Sequence, residues 1–350
     1  MKTLTTVRTE RIDEILAGFD RLRIAVLGDF FLDKYLDIDS GLAEVSIETG
    51  KMAHQVVGVR HSPGAAGTIV CNLAALGVGT LHAVGFCGDD GEGFELRKDL
   101  EALACSSTHL HVNAQRKTPT YLKPRDKDLP GLEGEHNRYD TKNRQPTGEA
   151  IQRTIVASLD AILPQVDAVV ILDQVEEPEC GAVTTLVRDA LADRARRWPG
   201  VVFWADSRLR IRQFRSVIIK SNQFEAVGME NPPPGAEVDP RDLLEAVTRR
   251  RAETGAPICV TRGPHGMYVT DPEPTMVPGV QVAGPTDPTG AGDSATAGAV
   301  AALCAGATLP EAALIGNLVA SVTIQQLATT GTASRQQVRE RLAMWLAQQQ

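Results

Sequence analysis

Apolar and polar positions along this chain alternate between two periods. Ile12, Ile15, Leu16 and Phe19 recur at helical spacing within residues 1–20, which predicts an amphipathic helix. Arg23-Ile-Ala-Val-Leu27 follows as a short continuous apolar run, the pattern of a strand buried on both faces. Residues 34–62 change to short alternating pieces such as Val56-Val-Gly-Val59, predicting strands of a small separate sheet. Pro63 to Gly77 reads as a small-residue turn and then a helix ended by glycine. Strands and helices then take turns: a strand at 80–86, a helix at 92–104, and strands at 118–123 and 135–140 flanking a polar loop at 125–134. Buried strands are predicted at 167–172 and 201–205, and a strand-to-helix junction at 218–225. A rigid loop, Asn231-Pro-Pro-Pro-Gly235, precedes a helix from Asp239 to about Glu253; strand, turn and strand occupy 257–269; helices at 309–326 and 334–348 close the chain. This alternation predicts an α/β fold, an αβα sandwich with a mostly parallel central sheet. A small β-lid, from about 34–62 and 115–140, is expected within a single domain spanning 1–350.

Composition narrows the partners. A chain of 350 residues with 43% hydrophobic and only 4% aromatic residues has ample core material, drawn from Ala, Val, Leu and Ile. A formal net charge of −8, with no basic run interleaved with aromatics, disfavours a nucleic-acid partner. The six cysteines are scattered without Cys-x-x-Cys pairs, so they read as reduced and mostly buried. Residues 1–23 lack the apolar core of a signal peptide, and no apolar run approaches membrane-spanning length; the expectation is a cytoplasmic protein with no membrane partner.

The densest chemistry lies late in the chain, in Asp287-Pro-Thr-Gly-Ala-Gly-Asp293, which runs into a small-residue helix. Glycines before a helix start leave backbone N–H groups unpaired and open to an anion, and the helix dipole adds partial positive charge there. Asp293 would repel that anion unless its task is to take a proton from a hydroxyl attacking the phosphorus from the far side. The stretch therefore predicts an anion hole made by Gly290, Ala291 and Gly292 with Asp293 as base. A capped helix start with dipole compensation is the simpler alternative. Carboxylates also stand just past the first strand (Asp29, Asp33) and past the strands at 167–172 and 201–205 (Asp173, Asp206), at the sheet edge where open α/β folds bind ligands. Neither Gly-x-x-x-x-Gly-Lys-Ser/Thr nor a convincing Gly-x-Gly-x-x-Gly is present, so phosphate must be held at the Gly290–Asp293 turn.

Asp287-Pro-Thr-Gly-Ala-Gly-Asp293 resembles the C-terminal signature of the PfkB, or ribokinase-like, carbohydrate kinases, and other segments extend the similarity from about Arg23 to Ser334. The resemblance implies a ribokinase-like fold and Mg2+-ATP-dependent phosphorylation of a sugar or sugar-phosphate hydroxyl. Gly28-Asp29-Phe-Phe-Leu-Asp33 is similar to the segment whose last aspartate holds sugar hydroxyls, giving that role to Asp33 with Asp29 in support. Pro63-Gly64-Ala-Ala-Gly67-Thr68 resembles the N-terminal signature and implies sugar contacts from Gly64 and Thr68, with Ala65 where the family has its second glycine and Thr68 where it has asparagine. Arg138-Tyr-Asp140 and Asp206-Ser-Arg208 resemble segments of the heptose 7-phosphate kinases, as does the spacing of Ser46-Ile-Glu48. They place Arg138 and Arg208 at the acceptor, with Arg210 as a further cation for a phosphate, and Asp173 is expected on the substrate side from its place at the sheet edge. Asn222-Gln-Phe-Glu225 resembles the Asn-x-x-Glu motif, implying that Asn222 lies near the nucleotide phosphates and that Glu225 organises Mg2+ through water. By the same likeness Thr261, Gly263, Asp287 and Asn317 fall to the nucleotide, and a monovalent cation such as K+ sits near the anion hole. A homodimer through the lid is expected because a small sheet raised off the main domain leaves edges and one apolar face that need cover. A free-sugar kinase and a non-catalytic sugar or nucleotide sensor remain the alternatives.

Overall fold

The computed structural model describes residues 2–129, 131–233, 235–327 and 329–349; Pro130 of the polar loop and Pro234 of the proline loop lie outside the described residues. Among the described residues a ten-stranded sheet runs in the order β1 (Lys2–Thr3), β14 (Thr275–Val277), β13 (Met267–Val269), β12 (Ile258–Thr261), β11 (Ile218–Asn222), β10 (Val202–Ser207), β9 (Ala168–Asp173), β2 (Arg23–Gly28), β5 (Thr80–Gly88) and β6 (Cys105–Asn113). All pairings are parallel except β12 with β13 and β13 with β14.

The continuous apolar runs have the reason the sequence suggested, because successive side chains of a strand face opposite sides of the sheet and both sides are covered. Ile24 and Val26 enter one core, Ala25 and Leu27 the other. The first core is closed by α1 (Thr9–Ala17), α2 (Ala66–Ala75), α3 (Gly91–Ala102), α8 (Ala291–Cys304), α9 (Leu309–Thr323) and α10 (Arg335–Gln348). The second is closed by α4 (Glu149–Ile162), α5 (Thr185–Arg197) and α7 (Pro240–Thr254), with Phe224 of the short α6 (Gln223–Val227) packed at its margin. The result is the expected αβα sandwich with a mostly parallel sheet.

A second sheet of four strands has the order β4 (Met52–Ala65), β3 (Phe30–Val45), β7 (Thr120–Asp126) and β8 (Tyr139–Thr141). Residues 34–62 are not short pieces. They form one long hairpin whose two strands pair from Phe30 with Ala65 out to Val45 with Met52, with register shifts at Asp37/Ile38 and Asp39/Glu44. The polar Asp37 and Asp39 hid the strand's length, because only its inner half packs against the body; beyond Ser40 most positions are exposed. At the joint between β4 and α2, Ala65 takes φ 53° and ψ −116°, backbone that glycine adopts far more readily than a residue with a Cβ. That is the position at which the family signature carries glycine.

Candidate active site

The loops leaving the carboxyl ends of β9 and β10, the first turns of α2 and α8, Thr330 and the inner half of the small sheet enclose a cleft of about 380 Å³. The structure brings together Asp33, Thr68, Arg138, Arg208, Gly290 and Asp293 around it. Sequence reasoning did not find Tyr121, Lys123, Gln174 and Thr330, which line it as well.

Its floor is the start of α8. Gly290 caps the helix at φ 75°, a left-handed turn suited to glycine, and no side chain caps the amides beyond it. The amide of Ala291 donates to Pro288 O at 3.0 Å and that of Ser294 to Gly290 O at 2.9 Å. The amides left without a partner among the described residues therefore include those of Gly292 and Asp293, and Ala291 is a correction to the expected anion hole, because its N–H closes the turn. The Asp287 carboxylate accepts from Thr289 N at 2.9 Å, so it shapes the loop instead of pointing at a nucleotide.

Asp293 stands in the first turn of α8. Burial, together with the neighbouring Asp206 and Asp33, pushes its carboxyl up to about 7 against the pull of Lys220. Such a group is half-ionised near neutral pH and suited to general-base work. Across the cleft, Asp33 is almost fully buried and meets Lys123 Nζ at 3.2 Å. Burial works against the Lys123 ammonium, but Asp33 and the Tyr35 hydroxyl outweigh it and hold it charged. A Cβ on Gly64 would lie 2.8 Å from Asp33 Oδ2, so glycine there gives the carboxylate its room. The methyl of Thr68 faces Gly290, 3.5 Å from where a Cβ would stand.

Two arginines form the rim. Arg138 lies over the Tyr121 ring at 4.3 Å and makes a bidentate pair with Asp140 at 2.7 and 2.9 Å. Arg208 donates from Nε to Glu176 at 2.6 Å. Both are about half exposed, so each keeps further N–H groups toward the opening.

Several expected contacts are instead made inside the protein. Asp29 accepts from the amides of Gln174, Val175 and Ala182 at 2.7–2.9 Å, tying the link between β2 and β3 to both ends of the loop between β9 and α5. Burial and the nearby Asp173 push its carboxyl up to about 6 in spite of those bonds. Asp173 is wholly buried and paired with Arg210 at 2.5 and 3.0 Å, while Ser207 donates to it at 2.7 Å. Arg210 also donates to the carbonyls of Val175 and Glu176. Asp29, expected in support of Asp33, and Asp173 and Arg210, expected at the acceptor, thus spend their hydrogen bonds on the framework beneath the cleft. Asn317 likewise donates to the carbonyls of Val277 and Pro278 at 3.0 and 3.2 Å, leaving no free donor for a base.

The remaining residues gather beside the cleft, where Asn222 and Thr261 are paired neighbours at the ends of β11 and β12. Asn222 caps α6, accepting from Phe224 N and Glu225 N, and Glu225 reaches back to Asn222 N at 2.7 Å. Burial first, then Asp206, raises the Glu225 carboxyl. Gly263 opens the turn after β12 with nothing within 4 Å of a Cβ position, a surface that a flat ligand can approach. Among the described residues no cluster of three or more His, Cys, Asp or Glu is placed to hold a metal ion, so a divalent ion here would have to lean on water and phosphate oxygens beside a single carboxylate.

Lys220 links the two halves of the site. Its Nζ donates to Asp206 at 2.6 Å, and a charge directly after two isoleucines in a buried strand was the signal that could have found it.

No helix among the described residues is long and apolar enough to cross a membrane. Among curated proteins, the bifunctional protein HldE of Stutzerimonas stutzeri (strain A1501) is 28% identical over 325 residues, which cover 90% of this chain and 63% of that protein. HldE of Shewanella baltica (strain OS155 / ATCC BAA-1091) is 30% identical over 345 residues, covering 94% and 65%. The chain spans a little under two thirds of the length of these relatives. Among solved structures, Arabidopsis thaliana ribokinase complexed with ribose and ATP matches with a TM-score of 0.63 at 16% identity, over 92% of this chain and 98% of that one. Phosphofructokinase-2 from Escherichia coli in complex with fructose-6-phosphate matches with a TM-score of 0.65 at 18% identity, over 92% and 99%. At these identities the structural likeness speaks for the ribokinase-like fold. A family model for pfkB family carbohydrate kinases matches residues 33–336, and the chain belongs to that family of hydroxyl-directed phosphotransferases.

Proposed function

We propose that this chain transfers the γ-phosphoryl group of ATP to a hydroxyl of a phosphorylated sugar of the heptose 7-phosphate type. The observation that carries the reading is Asp293, a carboxylate poised near neutrality, standing beside unpaired helix-start amides and facing a cleft with Asp33 across it. In this mechanism Asp33 orients the acceptor hydroxyl and Asp293 accepts its proton as the oxygen attacks phosphorus. The Gly292 and Asp293 amides stabilise the charge on the transferred group, and ADP leaves on the opposite side. ATP takes the side of Asn222, Thr261 and Gly263. Mg2+ would be held by phosphate oxygens and, through water, by Glu225, supplying neutralisation of phosphate charge. A monovalent cation near the anion hole belongs to the same reading by resemblance.

Arg138, Arg208 and Lys123 around the cleft support an acceptor that already carries a phosphate, since guanidinium groups match phosphate oxygens. The test is coupled measurement of ATP consumption across matched sugars and their terminal phosphates. The phosphorylated acceptor is expected to have the higher specificity constant, by about a hundredfold, and Arg138→Ala or Arg208→Ala is expected to reduce that preference about tenfold each. One observation favours a free-sugar kinase instead: both arginines already have a carboxylate partner, Asp140 or Glu176. Preference for the unphosphorylated sugar, unchanged in either variant, would establish that second reading.

The homodimer belongs to the same proposal. The outer hairpin exposes Leu42, Val45, Met52, Val57 and Val59, more apolar surface than a free two-stranded ribbon usually tolerates. Light scattering at micromolar concentration is expected to give twice the chain mass; a monomer would count against it.

A further inference from the structure

The strand β11 carries Lys220 between the buried Ile219 and Ser221, and only 6% of the lysine is exposed. Its register partner on β10 is Asp206, and the ammonium meets that carboxylate at 2.6 Å. The stem then passes beneath the first turn of α8, so that a Cβ added to Gly292 would lie 2.6 Å from Lys220 Nζ and 3.7 Å from Cε. A lysine is costly to bury, and a leucine would fill the same core at no electrostatic cost. The geometry points to a role in the reaction. We propose that Lys220 is a positioning residue of the phosphoryl-transfer site, whose buried ammonium, held by Asp206 under Gly292, keeps Asp293 ionisable and adds positive charge beneath the anion-binding turn.

The charges that face this point come from six elements. Asp206 on β10, Asp33 on β3 and Asp293 itself supply three carboxylates. Lys220 on β11 and Lys123 on β7 supply two ammonium groups, and Lys123 is committed to Asp33. Glu225 on α6 faces Lys220 from the nucleotide side, while Cys259 on β12 is a buried neutral thiol. Arg138 and Arg208 stand farther out on the rim. Without Lys220, Asp293 would share a buried site with an uncompensated Asp206, and its proton would be held more tightly. Burial works against the Lys220 ammonium, but Asp206, then Asp293 and Glu225, keep it charged. The same contact explains Gly292, because any side chain there would displace the ammonium from Asp206.

The inference rests on Asp293 as the base, so the test separates the two. The pH dependence of kcat/KM is measured on the full chain with saturating Mg2+-ATP and the best acceptor of the sugar panel, for the wild type, Lys220→Met, Lys220→Arg, Asp206→Asn and the double variant K220M/D206N. In Lys220→Met the acid limb is expected to move to higher pH by about one unit or more, so that activity lost at pH 7 returns toward pH 9. Lys220→Arg is expected to hold the limb near its wild-type place. Because Lys220→Met leaves Asp206 buried without its cation, the comparison of D206N with K220M/D206N repeats the test with no stranded carboxylate, and the limb is expected to rise in the double variant relative to D206N. A limb that stays fixed in both comparisons, with only kcat scaled, overturns the proposal and leaves Lys220 as packing and counter-charge. A readout independent of any acceptor is the pH at which the melting-temperature difference between each protein and its Asp293→Asn derivative levels off, which reports the Asp293 proton directly and is expected to rise in step. If Asp293→Asn keeps near-normal turnover, the base assignment fails; if it does not and the Lys220 variants leave the titration in place, the inference alone fails.

Discussion

Asp293→Asn is expected to lower kcat by about a thousandfold or more while ATP affinity stays within about threefold, because the amide keeps the shape of the anion-binding turn but cannot take a proton. Single-turnover rates and nucleotide titration separate the two effects, and near-normal turnover would remove Asp293 from the role of base. In the wild type, activity should rise with pH through about 7, as the carboxyl ionises. The same substitution should stabilise the protein. The Asp293 carboxyl titrates near 7 when folded and near 3.8 when unfolded, so between those values the folded state holds a proton that the unfolded state has released. Wild-type stability therefore falls as pH rises through that window and is lowest above it. Asn has no such loss, so its gain in melting temperature should be absent below about pH 4, grow to pH 7 and then stay level. A site that costs stability in its working ionisation state is what a trade-off between activity and stability looks like at a single residue.

The second large effect is expected at Arg210. Asp173 is fully buried, and Arg210 supplies both of its charge-assisted bonds while also closing the Val175 and Glu176 carbonyls. Arg210→Met would leave a buried carboxylate with only the Ser207 hydroxyl, together with two carbonyls that have lost their donor. Breaking one side of such a pair costs about 3–5 kcal/mol, which in a chain of this size lowers the melting temperature by roughly 4–7 °C. Adding Asp173→Asn to Arg210→Met should recover part of the loss, since the charge goes with its partner. Thermal unfolding at pH 7.5 decides it: a single variant as stable as the wild type would mean the pair does not hold the loops beneath the cleft.

Much of the architecture could be read from the chain because its parallel strands are apolar runs covered on both faces, and Arg23–Leu27 and Asp167–Leu172 have no other stable place. The late glycine-rich turn was legible for a similar reason, since few roles fit two glycines and an aspartate at a helix start. Direction was harder to read. Asp29, Asp33, Asp173 and Asp206 all follow strands at one edge, yet only Asp33 opens on the cleft, and nothing in the spacing tells a carboxylate that faces a ligand from one that binds three amides. Lys123 was missed because a lysine on an alternating strand normally faces solvent; here the cleft wall turns it inward to Asp33. The strands β1 and β14, at one side of the sheet, are two and three residues long, too short for periodicity to register. The hairpin was read as fragments because its outer half has no buried face to impose alternation.

Ala65 bears on how the small sheet can move. A glycine at that joint would let the hairpin swing on the body through a wide range of backbone angles, whereas alanine at φ 53° has few neighbouring conformations to visit. The other strand offers no easier pivot: the Ala66 amide is tied to Asp29 O at 3.0 Å, and the Asp29 carboxylate is fastened to three amides of the body. Both roots of the hairpin are stiff. Any opening over the cleft must then come from bending within the ribbon, at the register shifts beside Asp37 and Asp39, so the inner half holds Asp33 in place while the outer half flexes like the tip of a clamped blade.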